Sequence, residues 1–440
     1  MNLPVKKPRV LQREQGPLLE ALRTGVVPGR GAQLIQVGRE KEIAAILDSL
    51  KHIRVGAGTS RFVIGDYGSG KTYFLRLMCM VAHREDLVTV HADLTPDRRL
   101  HGSQGRARKL YSELVANMAT RGRPGGRALT SVVERFVGRV EEEAETEGVP
   151  VRDLLRSRLR RLREHPAGPT FARVVEAYWE AYHEGDENRR DQALRWLHAE
   201  YAIKSEARDL GVREIIDDRN VFDNLKLLAD FVTMAGYRGL LVCLDEMVNL
   251  YKINHAAARK SNYEQILNII NDTQQGLAPH LGFLFGGTPD FLTNPHRGLY
   301  SYEALRSRLE ENPYAGNGLV DYHGPVMRLG SFTKEHFYEL LKKVRDVYTS
   351  NGQDLPGFTD DAVEAFMRHC DNRVGEAYFR TPRSTIKEFV GLMDVLRQNP
   401  QARWTDLLPR VELAPEANPD LLPTTAQDTD DDEHLAAFRM

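Results

Sequence analysis

Cysteine is scarce in this chain: three residues in 440, Cys79, Cys243 and Cys370, too widely spaced for a zinc knuckle or a disulfide framework. Each lies among apolar or helical residues and reads as a buried thiol, which suits a reducing compartment. Long apolar runs are missing too. None approaches the roughly 20 residues a membrane helix needs, and the start, residues 1–8, lacks the apolar core of a secretion signal. A cytoplasmic protein without membrane spans is expected. Net charge is small: 60 Lys and Arg against 62 Asp and Glu leave −2. There is no global nucleic-acid signature, so any polyanion site must come from a local patch. The 14 histidines form no His-Glu-x-x-His pattern. No Gly-x-Ser-x-Gly, no Cys-His pairing signal and no Gly-x-Gly-x-x-Gly with a following acid is present. Zinc hydrolases, serine hydrolases and dinucleotide oxidoreductases are thereby disfavoured.

What is present is Gly65-Asp66-Tyr67-Gly68-Ser69-Gly70-Lys71-Thr72, reading G-x-x-x-x-G-K-T. The apolar run Phe62-Val63-Ile64 precedes it, and the helical run Tyr73 to Met78 follows. Strand, glycine loop and helix are the context a phosphate-binding loop requires. Glycines let backbone N–H groups close around phosphates, and the helix turns its positive end toward them. Lys71 supplies a point charge, and the Thr72 hydroxyl is placed for Mg2+. The alternative is a glycine-rich turn that binds nothing.

Length and an apolar content of 41% allow two to three domains with sizeable cores. Residues 1–36 read as an N-terminal arm with one helix near Gln12 to Arg23. Residues 37–330 read as an α/β core, with strands at Arg61–Ile64, Leu87–Ala92, Gly239–Leu244, Leu281–Phe285 and Pro325–Leu329. Short apolar runs alternating with long helices predict a parallel five-stranded sheet. Residues 95–220 show helix-like charge mixing and few strand signals, and read as a helical insertion. Three helices across 331–400 form a compact C-terminal domain, and 412–440, rich in Pro, Asp and Glu, is expected to be disordered. Within the insertion two stretches are basic, 98–139 and 152–163, the second holding six arginines and one aspartate. Arg156, Arg158, Arg160 and Arg161 are candidates for contacting DNA; the alternative is a solvated face paired with Glu141, Glu142, Glu143, Glu145 and Glu147.

Leu240 to Leu244 is followed by Asp245-Glu246, about 170 residues beyond the loop. At a strand end, Asp245 suits the Mg2+ shell, and Glu246 suits polarising a water. Thr288, ending the next strand, is positioned to sense a γ-phosphate or to cap a turn before Pro289. Arg306 and Arg308 are candidates for an arginine reaching a neighbouring subunit's nucleotide, with Arg308 slightly favoured on spacing. Arg383, beside Pro382 at a helix start, suits a lid cation. Gly38-Arg39 suits the adenine and ribose.

Together these residues resemble the AAA+ ATPases, especially the origin-recognition and replication-initiator branch. The resemblance covers about 37–92 and 221–398. It implies a P-loop NTPase fold of AAA+ type, a C-terminal helical lid, ATP and Mg2+, and a site often shared between subunits. The chain looks more similar still to the ATP-binding proteins of BREX-type phage-defence systems, the BrxD-like family. Leu22 to Pro28, the phosphate loop, Leu244-Asp245-Glu246, Gly286 to Pro289 and Ala304 to Leu309 carry that similarity. It implies an ATPase that oligomerises, associates with DNA and works in a defence complex with a helicase partner, or else a slowly hydrolysing switch or scaffold. A small-molecule kinase fits less well, because no second-substrate pocket is recognisable. Unlike the initiators, the chain leaves little room after the lid for a winged-helix domain. DNA contact would fall to the insertion, the arm or an oligomer's channel.

Overall fold

The computed structural model describes residues 12–315, 319–351, 355–375 and 382–411. The acidic segment 412–440 and the first eleven residues lie outside them. The chain divides into two compact units. One gathers described residues from 41–64 and 78–327, the other from 12–40, 65–77 and 328–411.

The first unit is built on a five-stranded sheet in the order β2-β3-β4-β1-β5. Its strands are β1 (Thr59–Ile64), β2 (Val88–Asp93), β3 (Leu240–Asp245), β4 (Leu281–Gly287) and β5 (Val326–Arg328). β2 with β3, β3 with β4 and β4 with β1 pair in parallel. β3 and β4 are buried along their whole length. That explains their unbroken apolar runs: a strand covered on both faces has no solvent side to alternate with. Phe62 stacks on Phe285 with centroids 4.7 Å apart, fastening β1 to β4. A side chain on Gly282 would force the buried Ile53 side chain to shift.

Between β2 and β3 the chain is helical: α4 (Arg106–Ala116), α5 (Leu129–Glu147), α6 (Val151–Leu159), α7 (Gly168–Glu184) and α8 (Glu187–Leu197), before α9 (Val221–Met234) leads into β3. These helices share one continuous apolar core with the sheet. Phe231 of α9 meets Phe136 of α5 at 5.1 Å and Phe171 of α7 at 5.6 Å. α11 (Ala256–Gln274) precedes β4. α12 (Pro289–Thr293) and α13 (Glu303–Leu309) follow it.

The second unit packs α1 (Gln12–Thr24) against α14 (Lys334–Tyr348), α15 (Asp360–Val374) and α16 (Pro382–Gln398). Leu18, Leu19 and Leu22 of α1 are buried with Phe337, Leu341, Phe389 and Met393. Arg23 donates to both carboxylate oxygens of Asp394, at 2.7 and 2.8 Å. The Tyr348 hydroxyl donates to the same carboxylate at 2.8 Å. Gln15, also buried, donates to the Val347 carbonyl at 2.8 Å. The helix read from sequence as part of an arm is an integral wall of the helical unit.

Candidate functional site

The helical unit holds the phosphate loop. The chain leaves β1 at Gly65, whose missing Cβ would lie 2.5 Å from the Ser69 hydroxyl and 3.2 Å from the Leu329 carbonyl. Gly68 and Gly70 take positive φ angles of 79° and 85°, a region that costs any other residue about 1–2 kcal/mol. α3 (Lys71–Arg84) starts directly after them. The Lys71 ammonium donates to the carbonyls of Gly65 and Asp66, at 2.9 Å each, so it lies across the mouth of its own loop. Thr72, the second residue of α3, is partly exposed, and Asp66 is exposed. The Ser69 hydroxyl is buried without a hydrogen-bond partner among the described residues. An orphaned donor beside two left-handed glycines at a helix N-terminus fits the oxygens of a phosphate.

Gly38 and Arg39 belong to this same unit. A Cβ on Gly38 would touch the His336 imidazole at 3.4 Å. Arg39, itself at φ 69°, donates to the Ser69 carbonyl at 3.1 Å and to the Gly330 carbonyl at 2.6 Å, with its guanidinium 5.7 Å from the Phe332 ring. Sequence reading assigned Arg39 to the base and ribose. In the structure it braces the phosphate loop, a role that needed the fold to bring residue 330 beside residue 69. Tyr73 ties α3 to the 3-10 turn Ala32–Ile35, donating to the Ala32 carbonyl at 2.6 Å. Arg383, in the first turn of α16, is exposed and lays its stem over Gly25, where a Cβ would sit 3.2 Å from its Cγ.

The sheet unit holds the acidic group. Asp245 closes β3 and is 6% exposed. Its carboxylate accepts from the Glu246 amide at 2.9 Å. Glu246 is exposed and stands at φ 55°, a left-handed conformation that is strained for a glutamate. The turn is fixed on both sides: the Leu94 amide donates to the Asp245 carbonyl and the Met247 amide to the Gly286 carbonyl, each at 3.0 Å. Register places Asp93 opposite Asp245 and Gly287 opposite Ile64. The ends of β2 and β3 are thus level at Asp93 and Asp245, and Thr288 follows the end of the neighbouring β4. Asp93 was missed as a candidate; its signal was an acid closing an apolar strand, the pattern that singled out Asp245. Thr288 is buried and caps α12, accepting from the Phe291 amide at 3.4 Å, which is the turn-capping alternative weighed for it.

On α13, Arg308 donates to the Asn271 side chain and to the Ala304 carbonyl, both at 2.8 Å. Arg306 is exposed, and its side chain makes no hydrogen bond or ion pair among the described residues. In the insertion the arginine run is largely neutralised. Arg158 pairs with Glu143 at 2.9 Å, Arg161 with Asp230 at 3.2 Å, and Arg163 with Glu176 at 2.7 Å. Arg156 lies 3.8 Å from Glu176. Of the four candidates for DNA contact, only Arg160 lacks an acidic partner among the described residues.

The candidates therefore form two groups. Gly65 to Thr72, Gly38, Arg39 and Arg383 lie in the helical unit; Asp245, Glu246, Thr288, Arg306 and Arg308 lie in the sheet unit. Among the described residues no cluster of three His, Cys, Asp or Glu side chains could hold a metal by itself. No described helix is long and apolar enough to cross a membrane. No curated protein matches the chain. The family model for BREX system ATP-binding proteins BrxC/D matches residues 10–412. With that match running from before α1 through every described element, the chain belongs to the BREX system ATP-binding protein family BrxC/D.

Proposed function

We propose that this protein binds ATP at the Gly65–Thr72 loop and hydrolyses it as an AAA+ protein. In this reading it works as a homo-oligomer on DNA, in a phage-defence complex with a helicase partner. The observation that carries the reading is the loop itself: Gly68 and Gly70 at positive φ, a Ser69 hydroxyl with no partner among the described residues, and Lys71 opening α3. Lys71 would exchange its two loop carbonyls for phosphate oxygens. Thr72 and Asp245 offer oxygen donors of the kind Mg2+ takes together with phosphates and water. When bound, the ion would supply electrostatic stabilisation of charge developing on the phosphates. Glu246 would accept a proton from an attacking water, and Thr288 would report on the γ-phosphate with the donor capacity its capping role leaves over. Arg306 or Arg308 would complete a neighbour's site, and Arg383 would answer lid closure by the helices across 331–400. DNA would contact the insertion or a central channel.

The second reading is a nucleotide-dependent switch or scaffold with slow turnover. The capping bond at Thr288 favours it, since that hydroxyl already has a structural task in holding α12. Calorimetry with ATP and phosphate release on the same sample separate the two. The motor reading expects repeated turnover stimulated by DNA; Lys71→Ala is expected to lose both heat and turnover. Wild-type protein that binds ATP but does not turn over, alone, with DNA or with its partners, removes the motor reading.

A further inference from the structure

Two of the three cysteines meet. Cys79 sits on α3 and Cys243 on β3, 164 residues apart in sequence, with their sulfurs 3.3 Å apart. Both are buried in the sheet unit, Cys79 at 7% exposure and Cys243 at 3%. α3 faces the sheet here through successive turns: four residues beyond Cys79, the His83 imidazole hydrogen-bonds the Thr89 hydroxyl of β2 at 2.8 Å. In register, His91 of β2 stands opposite Cys243, so the two share a level and a face of the sheet. A disulfide has sulfurs about 2.05 Å apart. Closing this pair therefore needs an approach of about 1.3 Å between two elements already packed together.

We propose that Cys79 and Cys243 are an oxidative modification site, closed to a disulfide by a hydroperoxide and reopened by thiol reductants. The more exposed thiolate, Cys79, attacks the peroxide; the O–O bond breaks, leaving a sulfenic acid on Cys79 and releasing water from hydrogen peroxide. The Cys243 sulfur then attacks the Cys79 sulfur, the S–O bond breaks and a second water leaves. Two thiols lose two electrons to one peroxide. The closed bond joins the helix that begins with Lys71 to the strand that ends in Asp245. Its consequence for nucleotide rests on the function proposed above, whereas the cross-link does not.

The test uses the full chain, reduced, freed of reductant and treated with hydrogen peroxide. Thiols are counted in denaturant, and peptides are mapped by mass. Cys370 is the internal control: it lies in the core of the helical unit, where burial pushes its thiol up to about 12. The expected result is a fall from three thiols to one, a joined Cys79–Cys243 peptide two hydrogens lighter than its parts, and full reversal by dithiothreitol. Cys79→Ser and Cys243→Ala should each abolish the joined peptide. Folded wild-type protein whose two thiols survive, or oxidise separately to sulfinic acids, overturns the proposal. ATP calorimetry on reduced and oxidised wild-type protein tests the coupling, expected as at least a tenfold loss of affinity on oxidation. Equal affinity in the two forms overturns the coupling; a reduced form that binds no ATP while the joined peptide still appears overturns the ATP reading instead and leaves the modification site standing.

Discussion

A single backbone angle separates structural from chemical necessity at Glu246. Its φ of 55° is cheap for glycine and strained for glutamate by about 1–2 kcal/mol. Glu246→Gly should therefore raise stability by about 1 kcal/mol in denaturant unfolding, while phosphate release is lost. Glu246→Gln keeps the strained backbone and should leave stability unchanged. It should retain ATP and slow turnover by about 10²–10⁴-fold, the usual worth of a positioned general base. A Glu246→Gln protein with wild-type turnover would remove the residue from the chemistry. His83 makes a second residue-scale case. Burial pushes its imidazole from 6.5 down to about 4, against a weaker opposing hydrogen bond with the Ala119 backbone. Above pH 6.5 the ring is neutral in both folded and unfolded chains. As pH falls from 6.5 toward 4 the unfolded chain takes up a proton that the folded one refuses, so stability drops, by on the order of 3 kcal/mol in total. His83→Gln should flatten that part of the stability–pH curve, as read by urea unfolding at a series of pH values.

At the scale of elements, the insertion's two basic stretches differ in how far acids neutralise them. The run of six arginines across 152–163 has the higher density, yet α5, α7 and α9 supply Glu143, Glu176 and Asp230 to meet it. The turn joining α4 to α5 carries Arg121, Arg123 and Arg127, all exposed, with no acid in the sequence between Glu113 and Glu134. None of the three forms an ion pair among the described residues. Backbone bonds between Thr120 and Arg123, at 3.1 and 3.2 Å, hold the turn in shape. Reversing these three charges to Glu should weaken duplex DNA binding and reduce the slope of log affinity against log salt by up to about 3. Reversing Arg158 and Arg161 should instead lower thermal stability with little change in that slope. Equal salt slopes for wild type and the turn variant would exclude the turn as a phosphate contact. α1 teaches the same lesson about elements. Its apolar stripe marked a helix, but only the bidentate bond from Arg23 to Asp394 and the shared core with α14 and α16 reveal what that stripe packs against.

For the whole molecule, the proposed oligomer calls for an arginine able to reach a second copy. Spacing favoured Arg308, but Asn271 holds it within its own chain, whereas Arg306 is exposed and makes no such bond. If the protein works as an oligomer, Arg306→Ala should cut turnover at least a hundredfold while leaving ATP affinity per subunit and unfolding temperature unchanged. Arg308→Ala should mainly lower stability. A titration mixing Arg306→Ala with Glu246→Gln subunits should restore activity at the mixed interfaces that carry both intact groups; no restoration at any ratio would mean that the site is not shared. All five strands and the three helices of 331–400 were legible to within a few residues, because their apolar periods are local. The partners of α1, the bracing by Arg39, the neutralised arginine run and the level strand ends were not, because each depends on residues tens to hundreds of positions away.

The sequence by itself determined the chemistry on offer: a glycine loop ending in Lys-Thr, a buried strand closed by Asp-Glu, and the family that both point to. Those are short-range patterns, fixed by which backbone angles glycine permits and by which side chains a covered strand tolerates. Only the tertiary structure decided which groups are already engaged and which are left over. Among the described residues, Arg39, Thr288, Arg308 and most of the insertion's arginines have partners, while the Ser69 hydroxyl has none and two cysteine sulfurs touch. Pairing of that kind follows from side chains converging across the core, and no local pattern encodes the identity of a distant neighbour.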